Sequence, residues 1–115
     1  MESILISIKK LLGIASDYPQ FDTDLIIDIN SAIAVLTQIG IGPEEGYAIT
    51  GETETWSDFI GTDPRLSYVK SYLHLKVKLL FDPPLTSSVM EADNRILAEL
   101  EWRMLVATDP VETNA

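Results

Sequence analysis

Along most of the chain, apolar residues recur at intervals of three and four, the period of an amphipathic helix. Four segments carry the pattern. Ile4, Leu5, Ile8, Leu11 and Leu12 form a first short stripe, which Gly13 ends. A polar turn containing Tyr18-Pro19 follows, and Asp22 or Thr23 is the expected cap of a second helix with Leu25, Ile26, Ile29, Ala32, Ile33, Leu36 and Ile39 on one face. Gly40 and Gly42-Pro43 end that helix. The third is announced by Asp63 as cap and by Pro64 at the first helical position, where a missing N–H is not needed; it runs through "PRLSYVKSYLHLKVKLLF" and stops before Pro83. The fourth begins at Thr86, Ser87 or Ser88 and carries Val89, Met90, Ile96, Leu97, Leu100 and Met104 along one face.

One region, "GIGPEEGYAITGETETWSDFIGTD", lacks helical periodicity. Within it "YAIT" and "TETW" flank Gly51-Glu52 and permit a short hairpin, while "TWSDFI" permits a helical turn with Thr55 as cap and Asp58 at the third position. The expected fold is mainly α, a small four-helix bundle with a loop or short β-hairpin insertion between the second and third helices. No linker divides the chain, so residues 1–108 are expected to form a single helical domain and 109–115 a flexible C-terminal tail.

The third helix is apolar on two sides. At about 100° per residue, Leu66, Val69, Leu73, Val77 and Leu80 share one face, and Tyr68, Tyr72, Leu75 and Leu79 share another. Such a helix either lies at the centre of the bundle, between the second and fourth helices, or buries one side against another subunit. Ala98, Trp102 and Leu105 repeat the theme opposite the main stripe of the fourth helix. On the subunit reading, Tyr68, Tyr72, Leu75, Leu79, Trp102 and Leu105 form the subunit or partner interface, because Tyr and Trp suit surfaces where one end of the side chain stays wet.

Between the two longest helices, "LLFDPPLTSS" reads as a rigid elbow. Pro83 disfavours helical geometry at Asp82, and Pro83 with Pro84 removes two backbone donors, so the chain must run extended before the next cap.

Composition narrows the classes. Hydrophobic residues make up 46% and charged residues 23% of 115, a globular balance. No apolar run approaches the roughly 18 to 20 residues that span a bilayer. "MESILISIKKLLGIAS" puts its lysines after the apolar residues, the reverse of a secretory signal, and reads as part of the fold. The absence of cysteine removes disulfides, thiolate nucleophiles and Cys-based metal centres. Net charge is −10, and it is uneven: from Asp17 to Asp63 there are ten acids and no Lys or Arg. That asymmetry argues against specific nucleic-acid binding, which depends on basic residues. It fits a solvated acidic surface, or one that DNA slides past without sticking.

Candidate chemistry is sparse. His74 is the only histidine and lacks the second ligand a transition-metal site needs. There is no G-x-S-x-G or H-E-x-x-H. In "GIGPEEG", Glu45 stands where a dinucleotide loop needs its third glycine, and "DTDLIIDIN" lacks the glycine and terminal glutamate of an EF-hand. Glu44, Glu45, Glu52, Glu54 and Asp58 make an acidic loop, and the pairs Glu44/Glu45 and Glu52/Glu54 read as solvated. Asp93 lies within the fourth apolar stripe and is expected to be partly wet near the helix start. No catalytic, cofactor-binding or metal-ligating residue is identified, and an enzyme is not expected.

Three stretches, "ETETWSDFIG", "YVKSYLHLKVKLLFDPP" and "ILAELEWRML", together resemble the head-tail connector (adaptor, or head-completion) proteins of long-tailed bacteriophages and prophages, over roughly residues 20 to 106. The resemblance implies a small helical bundle with an insertion, many copies of which form a ring beneath the portal protein and bridge it to the next tail-neck protein, with DNA leaving through the channel. It also implies a virion protein made in the host cytoplasm, monomeric or only weakly self-associating when free, with no membrane association. By the same resemblance, the helix around Glu99 to Arg103 and the tail after it are candidates for portal contact, and the acidic loop from Glu44 to Asp58 faces the channel or the next ring. The rival reading from charge alone is a small acidic inhibitor or DNA mimic acting on a basic partner.

Overall fold

The computed structural model describes residues 2–108. The tail expected over 109–115 lies outside the described residues. Five helices follow in order: α1 (Ile4–Leu11), α2 (Asp22–Ile39), α3 (Trp56–Ile60), α4 (Leu66–Phe81) and α5 (Ser87–Thr108). The four longer ones are the predicted segments, and α3 is the helical turn expected in "TWSDFI". The fold is a mainly helical bundle.

α4 lies at its centre, with α2 on one side and α5 on the other, and α1 packs across α2 and α4. This arrangement explains the two apolar faces of α4. Val69, Leu73 and Val77 are fully buried, as are Leu25, Ile29, Ile33 and Leu36 of α2 and Ile4 and Ile8 of α1. Each such side chain removed from water contributes on the order of 1.5–3 kcal/mol. From α5 only Leu97 and Met104 are buried. Val89 and Ile96, expected on that stripe, are half exposed because the stripe's buried arc centres on Leu97, Leu100 and Met104 and leaves them at its edge. Leu80, expected in the core with Val77, is likewise 47% exposed, at the surface where the end of α4 meets the start of α2.

Local signals fix the ends. The Ser3 hydroxyl accepts from the Ile6 N–H and caps α1. Thr55 and Asp58 form the reciprocal capping box of α3, at 3.1 and 3.0 Å. α4 starts later than expected: Pro64 lies in a tight turn ahead of it, Arg65 takes the cap position without a side-chain bond, and the Asp63 carboxylate closes that turn by accepting from the Arg65 N–H at 2.8 Å. At α2 the expectation fails. Asp22 is already helical, Phe21 occupies the cap position without a side-chain bond, and the Asp22 carboxylate turns instead to Lys9 Nζ at 2.8 Å.

Lys9 is nearly inaccessible. Its ammonium donates to the carbonyls of Ser16 (3.1 Å) and Tyr18 (2.7 Å) besides pairing with Asp22, and so ties the α1–α2 turn to both helices. A buried ammonium is tolerable only with partners of this kind.

Residues 40–55 form a loop, with no strand among the described residues. The hairpin alternative does not form because the loop's backbone is engaged elsewhere. Asn30, in the middle of α2, donates to the Ile49 carbonyl (3.0 Å) and accepts from the Ile49 N–H (2.8 Å). The 54–56 stretch pairs with the N-terminal segment through Ile4 N–H to Glu54 O and Trp56 N–H to Glu2 O, around a single bridge between Ser3 and Thr55. Gly42 (φ +81°) lies so close to Phe59 that a Cβ there would fall 2.5 Å from the ring. Tyr47 stacks on the same ring at 5.1 Å.

Candidate interaction surfaces

The predicted interface residues divide. Tyr72 is fully buried, and its hydroxyl donates to Glu101 Oε2 across the α4–α5 seam at 2.9 Å. Burial first, then Glu101, pushes the Tyr72 phenol well above its ordinary range. Tyr72 is therefore core within one copy and not a surface residue, a correction to the two-faced reading of this helix: α5 itself covers that face. Tyr68, Leu75 and Leu79 are half-buried against the same core. Trp102 (60% exposed) and Leu105 lie on the outer side of α5, facing solvent. Beside them Arg103 is held by Glu99 one turn earlier, at 2.8 and 2.9 Å.

The acidic loop also divides. Glu44, Glu45 and Glu52 are exposed. Glu54 closes the loop on itself: Oε2 accepts from the Thr50 N–H (3.0 Å) and hydroxyl (2.7 Å), and Oε1 from the Gly51 N–H. Burial would raise its pKa, but these bonds outweigh it and hold the carboxyl below the usual glutamate value. Asp58 is committed to the capping box. Of the four paired acids read as solvated, Glu54 is structural, while Asp58 holds the capping position expected of it.

At the elbow, α4 ends at Phe81 as expected, and the Asp82 N–H closes the last turn onto the Lys78 carbonyl at 2.8 Å. Asp82 and Pro83 are exposed and Pro84 is half-buried. Thr86 takes the cap of α5, its hydroxyl accepting from the Val89 N–H at 3.4 Å. Lys78, Pro84, Val89 and the half-buried Asp93 border a shallow hollow beside this corner.

His74 is half-buried near the α1 end of α4. Burial, and then the charge of Lys78, lower its pKa, against a bond to the Leu11 backbone. Among the described residues no cluster of three or more His, Cys, Asp or Glu could hold a metal ion. No described helix is long and apolar enough to cross a membrane.

A second surface was not anticipated from sequence. Phe21, Ile27, Leu80 and Phe81 line a hollow of about 410 Å³ where the start of α2 meets the end of α4, with Asp24 and Asp28 on its rim. Phe21 and Phe81 meet edge to face at 5.2 Å. Ile27 is 59% exposed, more than any other large apolar residue of α2. The available signal was that Ile27 falls opposite the helix's own stripe. Burial, and then Asp24, push the Asp28 carboxyl above its ordinary range.

These features describe a helical body with apolar and acidic surfaces. No curated protein and no solved structure matches the chain. A family model described as phage connector protein matches residues 4–111, so nearly every element above falls within it. The chain belongs to the phage connector protein family, the structural head-tail connectors of bacteriophage particles.

Proposed function

We propose that this connector works as a ring of copies seated between the portal protein and the next tail-neck protein, with DNA leaving through the central channel. The observation that carries this reading is the family match across residues 4–111. Two features of the molecule support it. Trp102 and Leu105 stay exposed on the outer side of α5 although the chain has a complete core of its own, which suits a contact made only on assembly. Glu44, Glu45 and Glu52 are exposed in a stretch without bases, and a channel wall of that sign repels phosphates instead of holding them.

In this reading the assembling unit is one helical domain, residues 1–108, and the free protein associates with itself only weakly, closing no ring before the portal is present. Tyr68, Leu75 and Leu79 support the assembly face from beneath, while Tyr72 belongs to the core. The elbow of Asp82, Pro83 and Pro84 fixes α5 against α4, so its job is geometry and not turnover. The chain's role in the particle is structural.

The test is electron microscopy of purified portal rings with and without this protein. Added density of ring symmetry on one portal face is the expected result. A portal left bare at saturating connector concentration would overturn the reading.

A further inference from the structure

We propose that copies of this chain join head to tail, with the Trp102 and Val106 edge of α5 from one copy seated in the Phe21, Ile27 and Leu80 hollow of the next. This rests on the ring reading and names the contact that would build the ring.

The two patches lie at opposite ends of the bundle. Tyr72, in the first half of α4, meets Glu101 near the end of α5, so these helices run antiparallel. Leu80 lies eight residues beyond Tyr72 toward the elbow, about 12 Å along the axis at 1.5 Å per residue. Trp102 and Val106 lie at and beyond Glu101, in the other direction. Neither patch can cover the other within one chain. Both remain exposed: Ile27 and Leu80 at 59% and 47%, Trp102 and Val106 at 60% and 43%.

Shape and charge select a second copy as the occupant. The hollow is concave, about 410 Å³, and rimmed by Asp24 and Asp28 with no basic residue lining it. The other patch projects an indole, the side chain best suited to anchor in a pocket. It carries Arg95 on the same side, one heptad before Trp102, while Arg103 beside it is already paired with Glu99. An apolar hollow with an acidic rim therefore faces an apolar ridge that offers the exposed Arg95. Burial, and then the charge of Asp24, raise the Asp28 pKa, and an arriving guanidinium would offset that repulsion. Because the two patches differ, each copy uses one and offers the other, so the contact repeats until it closes.

The chain contains no cysteine, which makes a clean test available. Ser31→Cys places a thiol one turn from Ile27, and Ala98→Cys one turn before Trp102; both positions are exposed and neither anchor is altered. With a short bis-maleimide linker, a mixture of the two full-length variants is expected to give a one-of-each dimer at least tenfold above the dimer from either alone. The double variant should give a ladder of dimers, trimers and larger species. Adding Trp102→Asp, at an exposed position and with an unchanged circular dichroism spectrum as the control for folding, should abolish the mixed dimer. Equal dimer yield from one variant alone, meaning a patch meeting itself, would overturn the proposal, and so would no mixed dimer. Rings that form normally on the portal with Trp102→Asp would sink this contact and leave the ring reading standing. A wild-type chain that never binds the portal would sink the ring reading instead, whatever the cross-links show.

Discussion

Tyr72 is the residue at which one hydroxyl decides which side of a helix belongs to the core. Its ring is buried among apolar side chains, and its only polar atom finds Glu101 at 2.9 Å. Tyr72→Phe keeps the packing and leaves the half-buried Glu101 without that donor. The expected loss is about 1–2 kcal/mol, read as a lower urea midpoint at unchanged slope. An unaltered midpoint would mean that Glu101 is already satisfied by water. Glu54 gives a second test at this scale, through pH. Its folded pKa lies below the ordinary 4.5, so the folded state holds fewer protons than the unfolded state in that window. The stability it contributes is fully present above 4.5 and falls away as pH drops through the folded value. Asp63, depressed by its bonds from Arg65 against the effect of burial, acts in the same direction, whereas the raised Asp28 acts in the opposite one. Glu54→Gln is therefore expected to lower the melting temperature at pH 7 and to flatten its decline below pH 4.5. A variant whose acid limb matched the wild type would remove Glu54 from the account.

Among the elements, the 40–55 loop depends on α2 more than on itself. The paired bonds between Asn30 and Ile49 anchor a stretch with no ladder of its own. Asn30→Ala would leave the Ile49 N–H and C=O without partners. Amide exchange at Ile49 should accelerate about tenfold or more while Val69 and Leu73 stay protected. Uniform acceleration through the bundle would show that the loop and the core open together. This anchor also marks where sequence reading stopped. Helices, the capping box at Thr55 and Asp58, and the stop at Asp82 were legible because each is set by residues within four positions of one another. Asn30 and Ile49 are 19 apart, and nothing local pairs them. The same holds for Lys9, whose burial depends on a turn that brings Ser16, Tyr18 and Asp22 around it. Periodicity reported that α4 is apolar on two sides, but not what covers each side. Only the antiparallel return of α5 assigns Tyr72 to the core, and only the register of α2 on α4 turns Ile27 and Leu80 into one hollow.

At the scale of the whole molecule, charge and apolar surface pull association in opposite directions. Each copy carries a net charge of −10, so approaching copies repel over tens of ångströms at low ionic strength. The attraction between Arg95 and the Asp24–Asp28 rim acts only across the contact, where it sets orientation more than strength. Salt screens the long-range repulsion first and leaves the burial of Trp102 and Ile27 intact. Self-association, followed by sedimentation velocity, is therefore expected to strengthen between about 0.05 and 0.5 M salt, as the Debye length shrinks from more than 10 Å to about 4 Å. The acidic-mimic reading carries the opposite sign, because binding to a basic partner through the acids of residues 17–63 would weaken steeply over the same range. Self-association that falls with salt would show that ion pairs hold the copies together, and the apolar hollow would lose its place as the main source of strength.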